Sequence, residues 1–467
     1  MFKNLNIFRP LLAVLILFIP LYPKFPLLSV KGTYVAIRLD DIVMAIIILI
    51  WLIFQIKNKF PIFKQKITWL FLVYFVAITI SFINALFVYQ TEAPKILILH
   101  LLRRFEYMSL FFITIESVKS LFDFKFFYLF SLLSAIFVSI YGYGQKYFGF
   151  PIISTMNSEF SKGQLLQMNI WTRISATFAG HYDLAAYLSV ALIIILGVAL
   201  ITKNKLVKII SLLVWLPIYQ IFTFTASRIS TFAFLGGVVL TLFFLKKYWW
   251  IIPVSGLVIF SIFNSQDLSQ RLLATIPAFK NQFFTKQTEI KPTSTPITPT
   301  PIAIVTVTQK PITATKTTPT PTIIRHQSEP YPEVDADVGV ARSGEIRFNA
   351  EWPRAITAFK RNPLVGSGLG SITLATDNDY LRNLGESGLF GFISFSIINL
   401  FFIIKTLPLL FKKNPTHYNL ISIIFLGGLF TTLANAIFID VFEASKTAYL
   451  FWIMTGFYYQ SLTLKHD

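Results

Sequence analysis

Cysteine is absent from this 467-residue sequence, and charged side chains are scarce in it. Without cysteine the chain has no disulfide, no thiolate nucleophile and no sulfur ligand for a metal. Charged residues make up 13% of the chain, about half of their share in an ordinary globular domain. Hydrophobic residues make up 55%, which is more apolar surface than a soluble fold of this length can hide from water. The composition therefore excludes a soluble protein and indicates a lipid bilayer as the solvent.

Apolar stretches long enough to cross a hydrocarbon core of ~30 Å recur along the whole chain. They predict an all-α, polytopic membrane protein with about twelve transmembrane helices. The predicted spans are 7–23, 41–56, 67–89, 95–117, 124–142, 181–201, 207–224, 229–245, 248–263, 387–404, 419–438 and 444–462. Helices 1–9 thus occupy 1–263, one large loop between helices 9 and 10 occupies 264–385, and helices 10–12 occupy 386–467.

The net charge of +19 is largely explained by lysines in short loops between the apolar stretches. Lys-rich loops at 57–66, 203–208 and 412–413 alternate with loops that are poor in Lys and Arg. By the positive-inside rule the Lys-rich loops are cytoplasmic. We therefore predict a multi-pass protein of the plasma (inner) membrane with both termini in the cytoplasm, which places the large loop outside. Because topology accounts for the charge, no nucleic-acid partner is predicted.

The large loop divides into two parts of different composition. Residues 291–322 are rich in Thr and Pro, which favours an extended, disordered spacer. Residues 345–385 are predicted to fold. Within them, residues 349–361 place apolar side chains at helical spacing, and Asn362-Pro363 ends the pattern, so an amphipathic helix is predicted there.

Four arginines lie at the outer ends of predicted spans or beside the loop helix: Arg173, Arg228, Arg347 and Arg354. A guanidinium is always charged and offers paired planar donors, which suits phosphate oxygens at a lipid–water boundary. These arginines are therefore candidate ligands for a phosphate group. The alternative is that boundary arginines only contact lipid head groups.

Arg103, Arg104 and Glu106 lie well inside the fourth predicted span. A charge at the centre of a span costs roughly 2.5–3.5 kcal/mol on insertion scales. Two explanations stay open. Either Glu106 forms a structural ion pair with Arg103 at i,i+3, or one of the arginines faces the same polar cavity as Arg228.

Acidic and amide side chains gather just before the tenth predicted span, at Asp377, Asn378, Asp379 and Glu386. A carboxylate here is a candidate base for a hydroxyl nucleophile. The alternative is helix capping, because Asp and Asn are favoured at helix N-termini. Capping explains one of these residues more readily than the whole group. The five histidines show no metal-ligand spacing, so no metal site is predicted.

Several short motifs occur together and in order along the chain. They are RISATF (173–178), TASR (225–228), Arg347 with Trp352, PLVGSG (363–368), NDYL (378–381) and ESGLFG (386–391). Together they resemble the O-antigen ligase and polymerase superfamily. Its members show an Arg and a nearby Trp, a Pro-Leu-x-Gly-x-Gly turn, a His-Asn-x-Tyr-Leu box and a Glu-x-Gly-Leu-x-Gly segment after a large periplasmic loop.

This resemblance implies a metal-independent, cofactor-free glycosyltransferase on the outer face of the plasma membrane, acting in lipopolysaccharide or surface-polysaccharide biosynthesis. Such an enzyme moves a glycan from undecaprenyl diphosphate to an acceptor hydroxyl on a glycan or lipid and inverts the anomeric carbon. The implied catalytic residues are Asp377, Arg228 and Arg347. Diphosphate binding is assigned to Arg173, Arg228, Arg347 and Arg354, with support from Asn378, Asp379, Glu386, Arg103 and Arg104.

Asp377 stands where the ligases carry the His of their box, and that His is their proposed base. An aspartate is ordinarily a weaker base than an imidazole, so the replacement leaves room for a polymerase of the same superfamily. Two hypotheses from other classes also stay open: a transporter or flippase for lipid-linked glycans, and a non-catalytic scaffold of a glycan-assembly complex. Many transporters contain two similar halves, and no such repeat is visible in this sequence.

Overall fold

The computed structural model describes residues 7–23, 26–29, 36–91, 93–152, 173–264, 347–372 and 376–464. The predicted spacer at 291–322 lies outside the described residues. The helices are α1 (Phe8–Leu21), α2 (Leu39–Lys57), α3 (Lys66–Ile83), α4 (Pro94–Ser117), α5 (Leu121–Tyr147), α6 (His181–Ile201), α7 (Lys205–Phe224), α8 (Arg228–Phe244), α9 (Ile251–Asn264), α10 (Trp352–Arg361), α11 (Asp379–Leu410), α12 (His417–Asn435) and α13 (Ser445–Thr463). The π-helical turns Asn84–Tyr89 and Arg347–Glu351 and the 3-10 turns Pro61–Lys64 and Tyr248–Trp250 complete the helical elements of this part of the chain.

The described residues form an all-α membrane fold, as the composition predicts. Each predicted apolar stretch is helical over most of its length. Within the described ranges, seven helices are long and apolar enough to cross a membrane: α2, α3 with its π-helical extension, α5, α6, α7, α11 and α12. Helices α1, α8 and α9 are apolar but shorter. A helix pairs its interior N–H and C=O groups within the segment, which is what a bilayer requires of a spanning chain.

Helices α4 and α13 are predicted spans that are not among these seven helices. They pack more extensively on each other than any other two of the described helices. Helix α4 carries Arg103, Arg104 and Glu106, and nearly every residue of α13 is buried. Helix α13 and the part of α4 that follows Tyr107 are largely buried in the bundle, whereas Leu102 and Phe105 of α4 are exposed. Polar side chains are tolerated in the buried parts because a charge that faces lipid is costly.

Helices α8 and α12 approach each other closely at Gly237 and Gly427. The Thr241 hydroxyl donates to the Gly237 carbonyl oxygen at 2.8 Å, and a Cβ on Gly427 would lie 3.0 Å from that same oxygen. Small residues let helix backbones meet in a membrane, where apolar surface alone does not favour protein over lipid. Helix α6 packs against both, so α6, α8 and α12 form one packed group.

A short antiparallel hairpin between α1 and α2 departs from the all-helical prediction. Its strands are β1 (Pro26–Ser29) and β2 (Ala36–Arg38), with Pro26 opposite Arg38. The pairing of the two strands provides hydrogen bonds for backbone N–H and C=O groups in a segment that is not helical. At the end of β2 the Arg38 backbone N–H donates to Asp41 Oδ2 at 2.9 Å, so the hairpin leads directly into the first turn of α2.

The predicted amphipathic loop helix is confirmed as α10 (Trp352–Arg361), with a proline in its first turn and its end at Asn362. Ala355 and Ala358 are buried, and α10 packs against α11. A Cβ on Gly385 would lie only 2.8 Å from the Ala355 carbonyl oxygen. Small residues on both helices therefore allow α10 to lie directly on the first turns of α11.

Candidate functional site

Arg173 and Arg228 both lie where membrane helices begin. Arg228 is the first residue of α8 and follows Ser227, whose side chain accepts a hydrogen bond from the backbone N–H of Ser230 and caps the helix. Arg173 lies shortly before His181, the first residue of α6. Helices α6 and α8 pack on each other, and Arg173 acts electrostatically on Arg228. The two arginines therefore share one end of the bundle.

Arg173 contacts His181 directly. Its Nη1 lies 2.6 Å from His181 Nε2. A guanidinium can only donate, so Nε2 is the acceptor and carries no proton in this contact. The histidine ring thus anchors Arg173 at the start of α6.

Arg347 lies in the π-helical turn before α10 and is buried. Its Nε and Nη2 donate to Asp377 Oδ2 at 2.9 and 2.7 Å. A hydrogen bond also joins it to Tyr182, whose ring centroid is 5.9 Å from the guanidinium carbon. Burial alone would lower the pKa of Arg347, but Asp377 and Tyr182 outweigh burial and raise it. This guanidinium is therefore held firmly in its charged form.

Arg228 completes a group of three guanidiniums, here called the arginine cluster (Arg173, Arg228 and Arg347). Arg228 is half-buried. Both other arginines oppose its charge through space, whereas Tyr182 favours it. Like charges at short range are unfavourable unless an anion compensates them. The arginine cluster is therefore chemically suited to an anion with several oxygens.

Arg354, the fourth arginine singled out in the sequence, lies beside the arginine cluster in α10. It acts electrostatically on Glu351, as do Asp377 and Arg347. Burial raises the pKa of Glu351, and Asp377 adds to that shift. Arg354 Nη1, Glu351 Oε2 and Trp352 Nε1 are buried and have no hydrogen-bond partner among the described residues. This turn therefore holds buried polar atoms that the described part of the chain does not pair.

The three consecutive residues Asp377, Asn378 and Asp379 bind three different partners. Asp377 binds the arginine cluster, and its φ of 49° is a left-handed conformation that non-glycine residues seldom adopt. Asn378 caps α11, because its Oδ1 accepts from the Leu381 N–H at 2.9 Å. Asp379 is buried, and its Oδ2 accepts from the Phe442 N–H at 3.1 Å. Helix capping thus accounts for Asn378 alone.

Glu386 lies two residues before the interruption of α11 at Gly388. Helix α11 begins at Asp379, well before the predicted span at 387–404. Glu386 is buried. Its Oε1 lies 3.4 Å from Arg382 Nη1, and its Oε2 lies 3.8 Å from Arg104 Nη2. Two guanidiniums therefore hold this carboxylate.

A second group of charges lies next to the arginine cluster. This carboxylate cluster consists of Asp379, Glu386, Asp440 and Glu443 with Arg104 and Arg382. Asp440 lies in the turn between α12 and α13 and accepts backbone N–H bonds from Thr376 at 2.9 Å and Asn378 at 3.2 Å. Asp377 acts on Asp440 electrostatically, so Asp377 connects the two clusters.

The two carboxylates of this turn have opposite pKa shifts. Burial raises the pKa of Asp440, and Glu443 and Asp377 add to the shift, although Arg382 opposes it. Burial would also raise the pKa of Glu443, but Arg104 and Arg382 outweigh burial and lower it. Glu443 is therefore the carboxylate of the turn that is held most firmly in its ionised form. Among the described residues, no three acidic, His or Cys side chains are arranged to hold a metal ion.

One of the two explanations for the charges in the fourth predicted span is an i,i+3 ion pair between Arg103 and Glu106, and these two residues do act on each other electrostatically. No salt bridge joins them among the described residues, and Glu106 Oε1 instead accepts from the Tyr449 hydroxyl at 2.6 Å. Arg104 pairs with Glu443 in the turn before α13. The reason is that α4 packs along α13, so side chains of α4 find their partners on a neighbouring element and not along their own helix.

The glycine-rich turn Gly366–Gly370 packs against the backbone of α11. The Gly368 N–H donates to the Glu386 carbonyl oxygen at 3.0 Å. Helix α11 is interrupted at Gly388 (φ 63°, ψ −165°), a region that is essentially restricted to glycine. A Cβ on Gly388 would lie 2.5 Å from the backbone of Leu364. The turn and the kink therefore fit together, and the backbone N–H groups of Gly366, Ser367 and Gly368 donate to carbonyl oxygens of the protein.

Several residues in these clusters or near them in the chain are missed by sequence reasoning. Lys446 is one of them: it is buried, and its Nζ donates to the carbonyl oxygens of Pro20 at 2.9 Å and Thr177 at 2.7 Å. The sequence signal for these residues is the density of ionisable side chains close to the apolar spans. Such side chains are costly to place in a membrane, so a group of them indicates a functional site. The missed residues are Tyr182, Arg382, Asp440, Glu443 and Lys446.

The fold and the two clusters define the class of protein: an all-α, multi-pass membrane protein with buried ionic clusters joined at Asp377. The sequence matches no family model and no curated protein. Its function is therefore inferred from the clusters and from the motifs that contain them.

Proposed function

We propose that the chain is an O-antigen ligase-like glycosyltransferase that moves a glycan from undecaprenyl diphosphate to an acceptor hydroxyl on the outer face of the plasma membrane. The observation that carries the proposal is the arginine cluster with Asp377 bound to it. Arg173, Arg228 and Arg347 come from three separate motifs that resemble the ligase and polymerase superfamily, and they converge in space. Guanidiniums bind diphosphate oxygens through paired, planar hydrogen bonds.

In the proposed reaction the acceptor oxygen attacks the anomeric carbon as its proton passes to a carboxylate. A new carbon–oxygen bond forms while the bond from the anomeric carbon to the diphosphate oxygen breaks, and the leaving group takes the bonding electron pair. Arg228 and Arg347 offset the negative charge that develops on the diphosphate. Attack from the side opposite the leaving group inverts the anomeric carbon.

Asp377 is the proposed proton acceptor. Both hydrogen bonds from Arg347 use its Oδ2, so Oδ1 is the oxygen available to an acceptor hydroxyl. Its side chain is 31% exposed, against 7% for Arg347, so a substrate can reach the carboxylate while the guanidinium stays fixed. Arg347 then both binds the leaving group and orients the base.

We place the arginine cluster on the extracytoplasmic side, with twelve crossings and both termini in the cytoplasm. The alternation of Lys-rich and Lys-poor short loops supports this orientation. Because the chain has no natural cysteine, single introduced cysteines test it directly. A membrane-impermeant maleimide should label Thr298→Cys in intact cells and Lys412→Cys only after permeabilisation. The reverse pattern would refute the orientation.

The reaction is tested with the purified full chain and the lipid-linked glycan extracted from its host. Arg228→Ala and Arg347→Ala, inserted normally in the membrane, should each lower the transfer rate by about 10²-fold or more. Arg361→Ala, at the exposed end of α10, is the matched control and should retain activity. Unchanged transfer in both cluster variants would refute the catalytic assignment. Retained activity in Asp377→Asn would exclude Asp377 as the base and leave the arginines in place.

The acceptor distinguishes the two activities of the superfamily. Transfer that requires an added lipid A core indicates a ligase, whereas elongation of the lipid-linked glycan without it indicates a polymerase. Movement of the lipid-linked glycan across proteoliposome membranes with no transfer at all would instead support a flippase.

A further inference from the structure

A cavity of about 730 Å³ runs along the membrane helices, with walls from α5, α6, α7, α12 and α13. It extends along α6 from Ala186 to Ile201 and along α12 from His417 to Thr432. Fifteen residues of α-helix rise about 22 Å, which is more than half of the ~30 Å thickness of a hydrocarbon core. The cavity is therefore long enough to hold a complete acyl chain parallel to the helices.

The walls of the cavity are mostly hydrocarbon, and the hydroxyl groups of Tyr128, Tyr187 and Ser211 in them have partners within the protein. Tyr128 OH and Ser211 Oγ form a hydrogen bond of 2.6 Å, and Ser211 Oγ also donates to the Val207 carbonyl oxygen at 2.7 Å. Tyr187 OH and Ser134 Oγ are hydrogen-bonded at 3.2 Å. Because these polar groups are satisfied within the protein, the interior favours an apolar chain over water.

The basic side chains that line the cavity all lie at one end of it. Lys125, Lys203 and His417 are found where α5 and α12 begin and where α6 passes into α7. Among the described residues that line the cavity, none is acidic. Asp123, close to Lys125 on α5, is paired with Arg9 at 3.2 Å, so this carboxylate already has a cation. An amphiphile with an anionic head at this end and an apolar tail along the cavity matches both features.

We propose that the cavity binds one acyl chain of an anionic glycerophospholipid, with the lipid phosphate between Lys125 and Lys203. A zwitterionic phospholipid offers the same tail, but its ammonium group offsets the phosphate, so it gains less from the lysines. The Lys-rich end of the bundle is the cytoplasmic end by the positive-inside rule, so the lipid comes from the inner leaflet. The site is separate from the arginine cluster and does not depend on glycan transfer.

Native mass spectrometry of the full chain in detergent tests the site with phosphatidylglycerol and phosphatidylcholine that carry identical acyl chains. The wild type should retain phosphatidylglycerol preferentially. Lys125→Gln/Lys203→Gln should weaken phosphatidylglycerol binding about 25-fold, from about fivefold for each lysine, and leave phosphatidylcholine binding unchanged. Lys57→Gln/Lys64→Gln removes the same charge from another Lys-rich loop and is the matched control.

Ala191→Phe tests the tail separately, because Ala191 lines the middle of the cavity. A larger side chain there should weaken the binding of both lipids. Three results would overturn the proposal: an unchanged lipid preference in the Lys125/Lys203 variant, an equal loss in the control pair, or unaltered binding of both lipids to Ala191→Phe. An equal loss in the control pair would mean that the whole basic face attracts anionic lipid.

Discussion

The ion pair between Arg104 and Glu443 is the clearest test of how this bundle holds buried charge. The two residues are 339 positions apart in sequence, and their side chains are 16% and 23% exposed. Glu443→Gln removes the acidic charge and keeps nearly the same shape. Arg104 is then left with Glu386, at 3.8 Å, as its remaining salt-bridge partner among the described residues.

The size of the loss follows from this geometry. Breaking a buried ion pair by removing one partner costs about 3–5 kcal/mol. Partial exposure of both side chains and the remaining contact with Glu386 reduce that cost, so we expect Glu443→Gln to lower the free energy of unfolding by about 2–3 kcal/mol. The change in Tm per kcal/mol shrinks as chains grow longer, so Tm should fall by roughly 3–5 °C.

Thermal unfolding in detergent, followed by tryptophan fluorescence, measures this shift. Glu116→Gln is the matched control, because it breaks a pair of 3.1 Å in which Lys119 is 54% exposed, and it should cost less than about 1 kcal/mol. Arg104→Met/Glu443→Gln removes both charges and should be more stable than the sum of the single losses predicts. Strictly additive losses would refute the ion-pair reasoning.

The remaining predictions concern pH and two glycines. Because the pKa of Glu443 is lowered in the folded state, ionised Glu443 contributes stability that is complete above the ordinary glutamate pKa of ~4.3 and is lost as the pH falls through the folded-state pKa. The Tm difference between wild type and Glu443→Gln should therefore shrink below about pH 4. A Tm difference that stays constant with pH would contradict this. Gly388→Ala should destabilise the chain by more than about 3 kcal/mol, because it adds backbone strain and a collision with the backbone of Leu364. Gly149 also has a positive φ (67°) but lies in open space, so Gly149→Ala should lower Tm less in the same melting experiment. Gly427→Leu should push α8 and α12 apart and lower the free energy of unfolding by about 1–3 kcal/mol or more. Its control, Gly256→Leu, has no atom nearby and should leave Tm within about 1 °C. Equal melting temperatures of the two variants would refute the close packing of α8 and α12.

Much of the fold could be predicted because the bilayer restricts what a spanning segment can be. Interior backbone groups must pair within the segment, so a long apolar stretch has little choice but a helix. Local chemistry was equally informative for α10, where Asn362-Pro363 ends the apolar periodicity and the helix ends at Asn362. The kink of α11 could not be predicted, because Gly388 adopts its conformation only against the turn that contains Leu364.

The residue types of the candidate site could be predicted from the sequence, but the residues that each of them contacts could not. Arg228 and Arg347 stand out because a guanidinium at a membrane boundary is costly to place and well suited to phosphate. Their convergence on Tyr182 depends on how α6, α8 and the turn before α10 pack. The choice of Asp377 for Arg347 likewise needs the backbone of Asp377 in a left-handed conformation.

By itself, then, the sequence indicates a lipid bilayer as the environment of the protein, the positions of the helices and the kinds of charge at their ends. Each of these features depends on residues that are close together along the chain. The tertiary structure decides which charges meet. Glu106 lies one helical turn from Arg103 and still binds Tyr449, while Arg104 pairs with Glu443 from the far end of the chain, because α4 lies along α13. In a low-dielectric bundle the strongest interaction belongs to whichever opposite charge packing brings nearest, and packing is a property of the whole chain.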